Sequence, residues 1–196
     1  MPPADVAEAR AFFDLPDEKP VILVMGGSQG ARGVNRAVIA ALRALAAAAD
    51  RVQLLHITGP GEYESVRAAC AAMPALTARV VPFCQRMEFA YALANIAVCR
   101  SGASSLTELS AWGLPSILVP YPTAADDHQR RNADIFTGAG AAIAVEEKDI
   151  ASGELAALLL DLLGDQERLR SLGAAMQKLA PLRAADQICD AIAQAS

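Results

Sequence analysis

Apolar residues in this chain fall into two alternating kinds of stretch. Short runs rich in Val, Ile, Leu and Ala at residues 21–25, 52–57, 79–82, 96–99, 116–119 and 141–144 predict strands. Between them, residues 33–48, 62–73, 86–94, 104–112 and 128–137 repeat apolar positions every three to four residues and predict helices. A strand, a crossover helix and a further strand, repeated about five times, demand an α/β architecture: a mainly parallel sheet with helices on both faces. The crossovers are expected to be right-handed. After Val145 the strand signals stop, and residues 152–163, 165–180 and 183–195 read as helices. The first twenty residues, rich in Pro and charge, read as a boundary segment with one amphipathic stretch at 6–13, so residues 21–196 are expected to form one domain.

Composition narrows the class. Among 196 residues, 54% are hydrophobic and 20% charged, enough apolar material for a sizeable core and too much for a disordered tail. The formal charge is -5 and basic residues are scattered, so no nucleic acid is expected as a partner, since that requires a basic stripe. The four cysteines (Cys70, Cys84, Cys99 and Cys189) form no CxxC pair, and the two histidines (His56 and His128) complete no zinc-type spacing. Three of the thiols are expected to pack as small hydrophobes in a reducing, cytosolic setting. The opening MPPADVAEARAFF lacks the basic-then-apolar order of a signal peptide. Arg43 and Asp161 interrupt the longest apolar stretches, so no transmembrane segment is expected.

In a doubly wound sheet the ligand site lies beyond the carboxyl ends of the strands, where loops feed helix amino termini. Three such loops carry unusual chemistry. Gly26-Gly27-Ser28-Gln29-Gly30-Ala31 follows VILVM and precedes a helix. Its glycines let backbone approach a ligand, and the helix offers unpaired N–H groups to an anion. It is neither a Walker loop nor GxGxxG. The plain alternative is a tight strand-to-helix turn. The second loop runs Cys99-Arg100-Ser101-Gly102-Ala103-Ser104-Ser105-Leu106-Thr107-Glu108. Ser104 and Ser105 fit a helix cap and first turn, and amides of Ala103, Ser104 and Ser105 can meet a diphosphate. Glu108, one turn on, can accept hydrogen bonds from the cis hydroxyls of a ribose. Alternatively, Ser105 and Glu108 form a capping box.

The third loop, Val119 to Asn132, is stiffened by Pro120 and Pro122, passes Asp126 and Asp127, and brings His128 and Gln129 to a polar helix start, where both can donate to sugar hydroxyls. The adjacent acids invite a metal, but no further oxygen ligands gather in sequence, so neither metal nor cofactor is expected. A fourth place, Pro82-Phe83-Cys84, can hold a flat base with an exposed aromatic and free backbone groups. Equally, Phe83 can belong to the core.

The strings VILVMGGSQGARGVN, VVPFCQRMEFAYALANIAVCRSGASSLTEL, GLPSILVPYPTAADDHQRRNA and GAGAAI together resemble, in order and spacing from Val21 to Val145, the donor-binding C-terminal domain of the MurG-type lipid I N-acetylglucosaminyltransferases. The resemblance implies a Rossmann-like domain that is one half of a GT-B glycosyltransferase, moving GlcNAc from UDP-GlcNAc to lipid I with inversion to give lipid II in peptidoglycan synthesis. Carried over by position, Gly27, Ser28 and Gln29 face the diphosphate and the reacting centre. Phe83 and the backbone of Cys84 hold uracil, amides of Ala103, Ser104 and Ser105 bind diphosphate, and Glu108 binds ribose. One of His128 and Gln129 contacts the GlcNAc hydroxyls. No metal is implied in the donor site.

The family is normally about twice this length. Its acceptor site, its expected base and its membrane-facing surface belong to an N-terminal half that is expected to be missing here, which leaves this chain inactive alone. Three alternatives stand: an isolated donor domain or truncated product, a donor subunit docking on a separate membrane partner, or a related GT-B enzyme with another lipid acceptor. The full-length enzyme is expected to be cytoplasmic, peripherally attached to the inner face of the membrane.

Overall fold

The computed structural model describes residues 5–15, 18–26, 31–122, 127–150 and 154–180. Six strands, β1 (Val21–Met25), β2 (Gln53–Ile57), β3 (Ala78–Val81), β4 (Ala94–Cys99), β5 (Ser116–Leu118) and β6 (Ala142–Ala144), form a single sheet in the order β3-β2-β1-β4-β5-β6. Every neighbouring pair is parallel. The chain winds outward from β1 in one direction and then restarts beside it at β4, so the order reverses between two directly paired strands. That reversal opens a crevice at their carboxyl ends, where Met25 pairs with Cys99.

Nine α-helices lie among the described residues, besides a 3-10 turn at Pro60–Glu62: α1 (Val6–Phe13), α2 (Arg32–Ala47), α3 (Tyr63–Ala71), α4 (Met87–Leu93), α5 (Ala103–Trp112), α6 (His128–Gly138), α7 (Glu147–Asp149), α8 (Leu155–Gly164) and α9 (Gln166–Lys178). The pleat of β1 sorts its side chains between two cores. Ile22 and Val24 join α2, α3 and α8 on one face, while Val21, Leu23 and Met25 join α1, α4 and α5 on the other. With both faces covered, all five residues of β1 are buried, as an uninterrupted apolar run requires. In α2 the buried Val34, Ala37, Val38, Ala41, Leu42 and Leu45 line one stripe, and Arg36 and Arg43 face out.

The opening segment is more than a boundary. Asp5 caps α1 by accepting from the Ala7 amide at 2.8 Å, and Ala9, Phe13 and Leu15 are buried in the second core against α4. The helix expected at 183–195 and Cys189 lie outside the described residues, while Cys70, Cys84 and Cys99 are buried free thiols. At the far end of α5, Gly113 takes φ 60° to close the helix, and its backbone meets that of Gly173 in α9. A Cβ on Gly173 would sit 2.7 Å from the Gly113 carbonyl oxygen, so this helix crossing depends on the missing side chain. No helix among the described residues is long and apolar enough to cross a membrane.

Candidate functional site

Beyond Cys99 the chain passes through buried Arg100 and Ser101 and enters α5 after Gly102, whose extended backbone (φ -71°, ψ 143°) makes it the cap residue. This corrects the expectation for the serines: Ser104 and Ser105 lie in the first turn and neither caps the helix. The first helical backbone bond is Leu106 N–H to the Gly102 carbonyl at 3.0 Å. The amides of Ala103, Ser104 and Ser105 therefore have no intrahelical acceptor and stand at the positive end of the helix. The capping box is also absent, because Glu108 turns away from the helix start and accepts from the Tyr91 hydroxyl at 2.5 Å.

One cavity of about 170 Å³ collects five of the eleven predicted residues, Phe83, Cys84, Ser104, Ser105 and Glu108. Met25, Ile57, Cys84 and Met87 form its apolar floor, Tyr91, Ser104, Ser105 and Glu108 its polar wall, and Phe83 lines it as well. Phe83 is 59% exposed, so the ring is not part of the core. The Cys84 thiol, in contrast, is buried, and burial raises its pKa, so it contributes bulk rather than charge. The volume falls below the several hundred Å³ usual for a whole ligand and suits a fragment such as a pyrimidine ring.

The amino end of α6 is tied to the same turn. Ser101 Oγ donates to the Gln129 carbonyl at 2.7 Å, and Asn132 Nδ2 donates to the Ser101 carbonyl at 3.0 Å. Gln129 Oε1 also accepts from the Tyr121 amide at 3.0 Å, so its remaining hydrogen-bonding capacity is the Nε2 donor pair. His128 is exposed at the first position of α6. Both lie outside the lining of the cavity, on its Ser101 side. Asp127 precedes α6 at φ 53° without capping it and pairs with Arg130 at 3.5 Å, and Asp126 is outside the described residues. Gly27, Ser28 and Gln29 also lie outside the described residues.

Three participants escaped the sequence reading. Tyr91 is 5% exposed on α4 and reads by spacing as plain core. Arg100 is 8% exposed. Its guanidinium donates to the carbonyls of Val119 and Pro120, both at 3.2 Å, to Glu147 at 2.5 Å, and lies over the Tyr121 ring. Glu147 in turn packs its carboxylate where a Cβ on Gly33 would be, joining α7 to the first turn of α2. The available signals were a hydroxyl on an apolar stripe and an arginine at a strand end inside apolar sequence.

A family model described as the glycosyltransferase family 28 C-terminal domain matches residues 21–188. Among curated relatives, a UDP-N-acetylglucosamine--N-acetylmuramyl-(pentapeptide) pyrophosphoryl-undecaprenol N-acetylglucosamine transferase of Chlorobium limicola is 38% identical over 187 residues, 95% of this chain and 50% of the relative. The enzyme of the same name from Geobacter sulfurreducens is 41% identical over 185 residues, 94% of this chain and 50% of the relative. The chain thus spans about half the length of these relatives. The crystal structure of Acinetobacter baumannii MurG superposes with a TM-score of 0.80 at 29% identity, covering 98% of this chain and 54% of that one.

Proposed function

Because the chain belongs to the glycosyltransferase family 28 C-terminal domain family, we propose that it is the donor-binding half of an inverting GT-B enzyme that transfers GlcNAc from UDP-GlcNAc to lipid I. The observation that carries this reading is the meeting of an exposed aromatic, the open first turn of α5 at Ser104 and Ser105 and a carboxylate around one cavity at the strand-order reversal. Uracil stacks on Phe83 above the apolar floor. Ribose hydroxyls donate to Glu108, and the diphosphate receives hydrogen bonds from Ala103, Ser104 and Ser105. The α6 start, His128 and Gln129, reaches the sugar.

In an inverting transfer, negative charge grows on the departing UDP while a base removes the acceptor proton. The amino end of α5 supplies fixed donors for the first event, and they need no reorganisation as charge develops. The proposal assigns the base, the lipid I site and peripheral attachment to the cytoplasmic face of the membrane to the other half, whether on the same polypeptide or a separate subunit. That half closes the cleft, so this chain alone binds the nucleotide without turning it over.

Titration of isotope-labelled protein with UDP tests the reading: amide resonances of residues 103–108 and of Cys84 should shift together. Silence at both places under saturating UDP removes the proposal. Calorimetry with UDP-GlcNAc, UDP-GalNAc, UDP-glucose and UDP then reads sugar selection separately from nucleotide recognition.

A further inference from the structure

We propose that Tyr91 is a positioning residue for the ribose contact, holding the Glu108 carboxylate in the one orientation that receives the nucleotide. The inference rests on the donor-site reading above. Glu108 is exposed on α5, and a free glutamate there would sample several rotamers. Tyr91 cannot move in the same way. Its ring is 5% exposed in the core beneath α4, with the Trp112 ring centroid 6.1 Å away and Met25 Sδ 3.7 Å from its hydroxyl. A phenol has one proton to give, and the geometry spends it on Glu108 Oε2 at 2.5 Å, within the range of a charge-assisted O–H···O bond. Burial, and then the neighbouring carboxylate, push the Tyr91 pKa upward, so the hydroxyl remains a donor throughout the physiological range.

With Oε2 held by the Tyr91 hydroxyl, Glu108, which lines the cavity, keeps Oε1 and the second lone pair of Oε2 as acceptors. Two acceptor positions at fixed separation suit two vicinal hydroxyls, whereas a mobile carboxylate would have to be ordered by each arriving ligand. Tyr91 also lines the cavity, but its hydroxyl proton is committed to Glu108, so it acts on the ribose through that carboxylate. A different role is conceivable for the same bond, that of joining α4 to α5, and it makes a different prediction: loss of the bond would then weaken every ligand alike.

The test is calorimetry on the 196-residue chain with UDP and 2′-deoxyuridine diphosphate, for wild type, Tyr91→Phe, Glu108→Ala and the double variant. Tyr91→Phe keeps the ring that fills the core and removes the proton. Wild type should prefer UDP by about tenfold, the scale of one hydrogen bond to a charged group. Tyr91→Phe should weaken UDP by roughly five- to tenfold and the deoxy compound by less than about twofold, collapsing that preference. In the Glu108→Ala background, adding Tyr91→Phe should change nothing further. Equal weakening of both nucleotides, no weakening of UDP, or an undiminished effect in the Glu108→Ala background overturns the proposal. If Glu108→Ala itself leaves UDP binding intact, the ribose reading fails as well. If Glu108→Ala weakens UDP and Tyr91→Phe does not, the positioning role alone fails.

Discussion

Phe83 and Glu108 are both exposed at the cavity, and under the proposed function they act by different physics, so substitution should separate them. Phe83 offers a flat apolar face, and base–aromatic stacking is worth about 1–3 kcal/mol. Phe83→Ala should therefore weaken UDP by roughly tenfold while leaving pyrophosphate binding and the melting temperature unchanged, because a ring 59% exposed contributes little to the core. Phe83→Tyr should retain affinity. Glu108→Ala removes an acceptor for sugar hydroxyls, so it should also spare pyrophosphate, but its loss should be larger for UDP than for 2′-deoxyuridine diphosphate. Isothermal titration with these three ligands reads both effects, and pyrophosphate weakened as much as UDP would contradict both assignments.

His56 poses a different single-residue problem. It is completely buried on β2, where its Nε2 meets Asn35 Oδ1 at 2.8 Å, and Asn35 Nδ2 donates onward to the Thr58 carbonyl and to Glu62. Because Asn35 presents an acceptor, the imidazole must carry its proton on Nε2. Its Nδ1 has no partner among the described residues. Burial lowers its pKa from 6.5 to about 3, so the native state holds the ring neutral while the unfolded chain takes up a proton below 6.5. Stability from this group is intact above pH 6.5 and declines as pH falls toward 3, by up to about 1.4 kcal/mol per unit. Urea denaturation between pH 7 and pH 4 should record that slope, and His56→Gln should flatten it.

At the scale of elements, the crossing of α5 and α9 is fixed by a backbone approach. Alanine is the better helix former by about 1 kcal/mol, yet Gly173→Ala should lower the melting temperature, because the new Cβ meets a carbonyl oxygen rather than a yielding side chain. A rise in melting temperature would mean the helices part at no cost. How the elements read from sequence follows the same logic of local against distant causes. The first strand is recovered at its true bounds, since five consecutive apolar residues between Pro20 and Gly26 leave no other placement. The other strands drift by a residue or two at their ends, where tertiary pairing rather than composition decides. A cap read at Ser104 falls two positions inside the observed cap, Gly102, because glycine there needs no side chain to start a helix. The Glu147–Asp149 turn reads locally as solvated charge and acquires meaning only when Arg100 arrives from β4. Tyr91 is the same case: its hydroxyl partner is 17 positions away on another helix.

For the molecule as a whole, the sheet order decides where chemistry can gather. Strands β1 and β4 are adjacent in space and far apart in sequence, so their carboxyl ends meet at one crevice while the helices that follow them lie on opposite faces. The cavity there is small, about 170 Å³. Under the proposed function, supplying the other half in trans should lower the dissociation constant for UDP-GlcNAc more than that for UDP, because the sugar then lies between the halves. Fluorescence anisotropy of a labelled nucleotide sugar, with and without that half, measures the difference.

The bonds from Ser101 to Gln129 and Asn132 weld the start of α6 to the turn that precedes α5. Under the proposed function these two helix starts are the sugar end and the phosphate end of a ruler, and neither can slide against the other. Its span is set once by the fold, so a glycosyl donor whose anomeric carbon sits one phosphate nearer to its base, or one farther, arrives out of step with the groups meant to hold it.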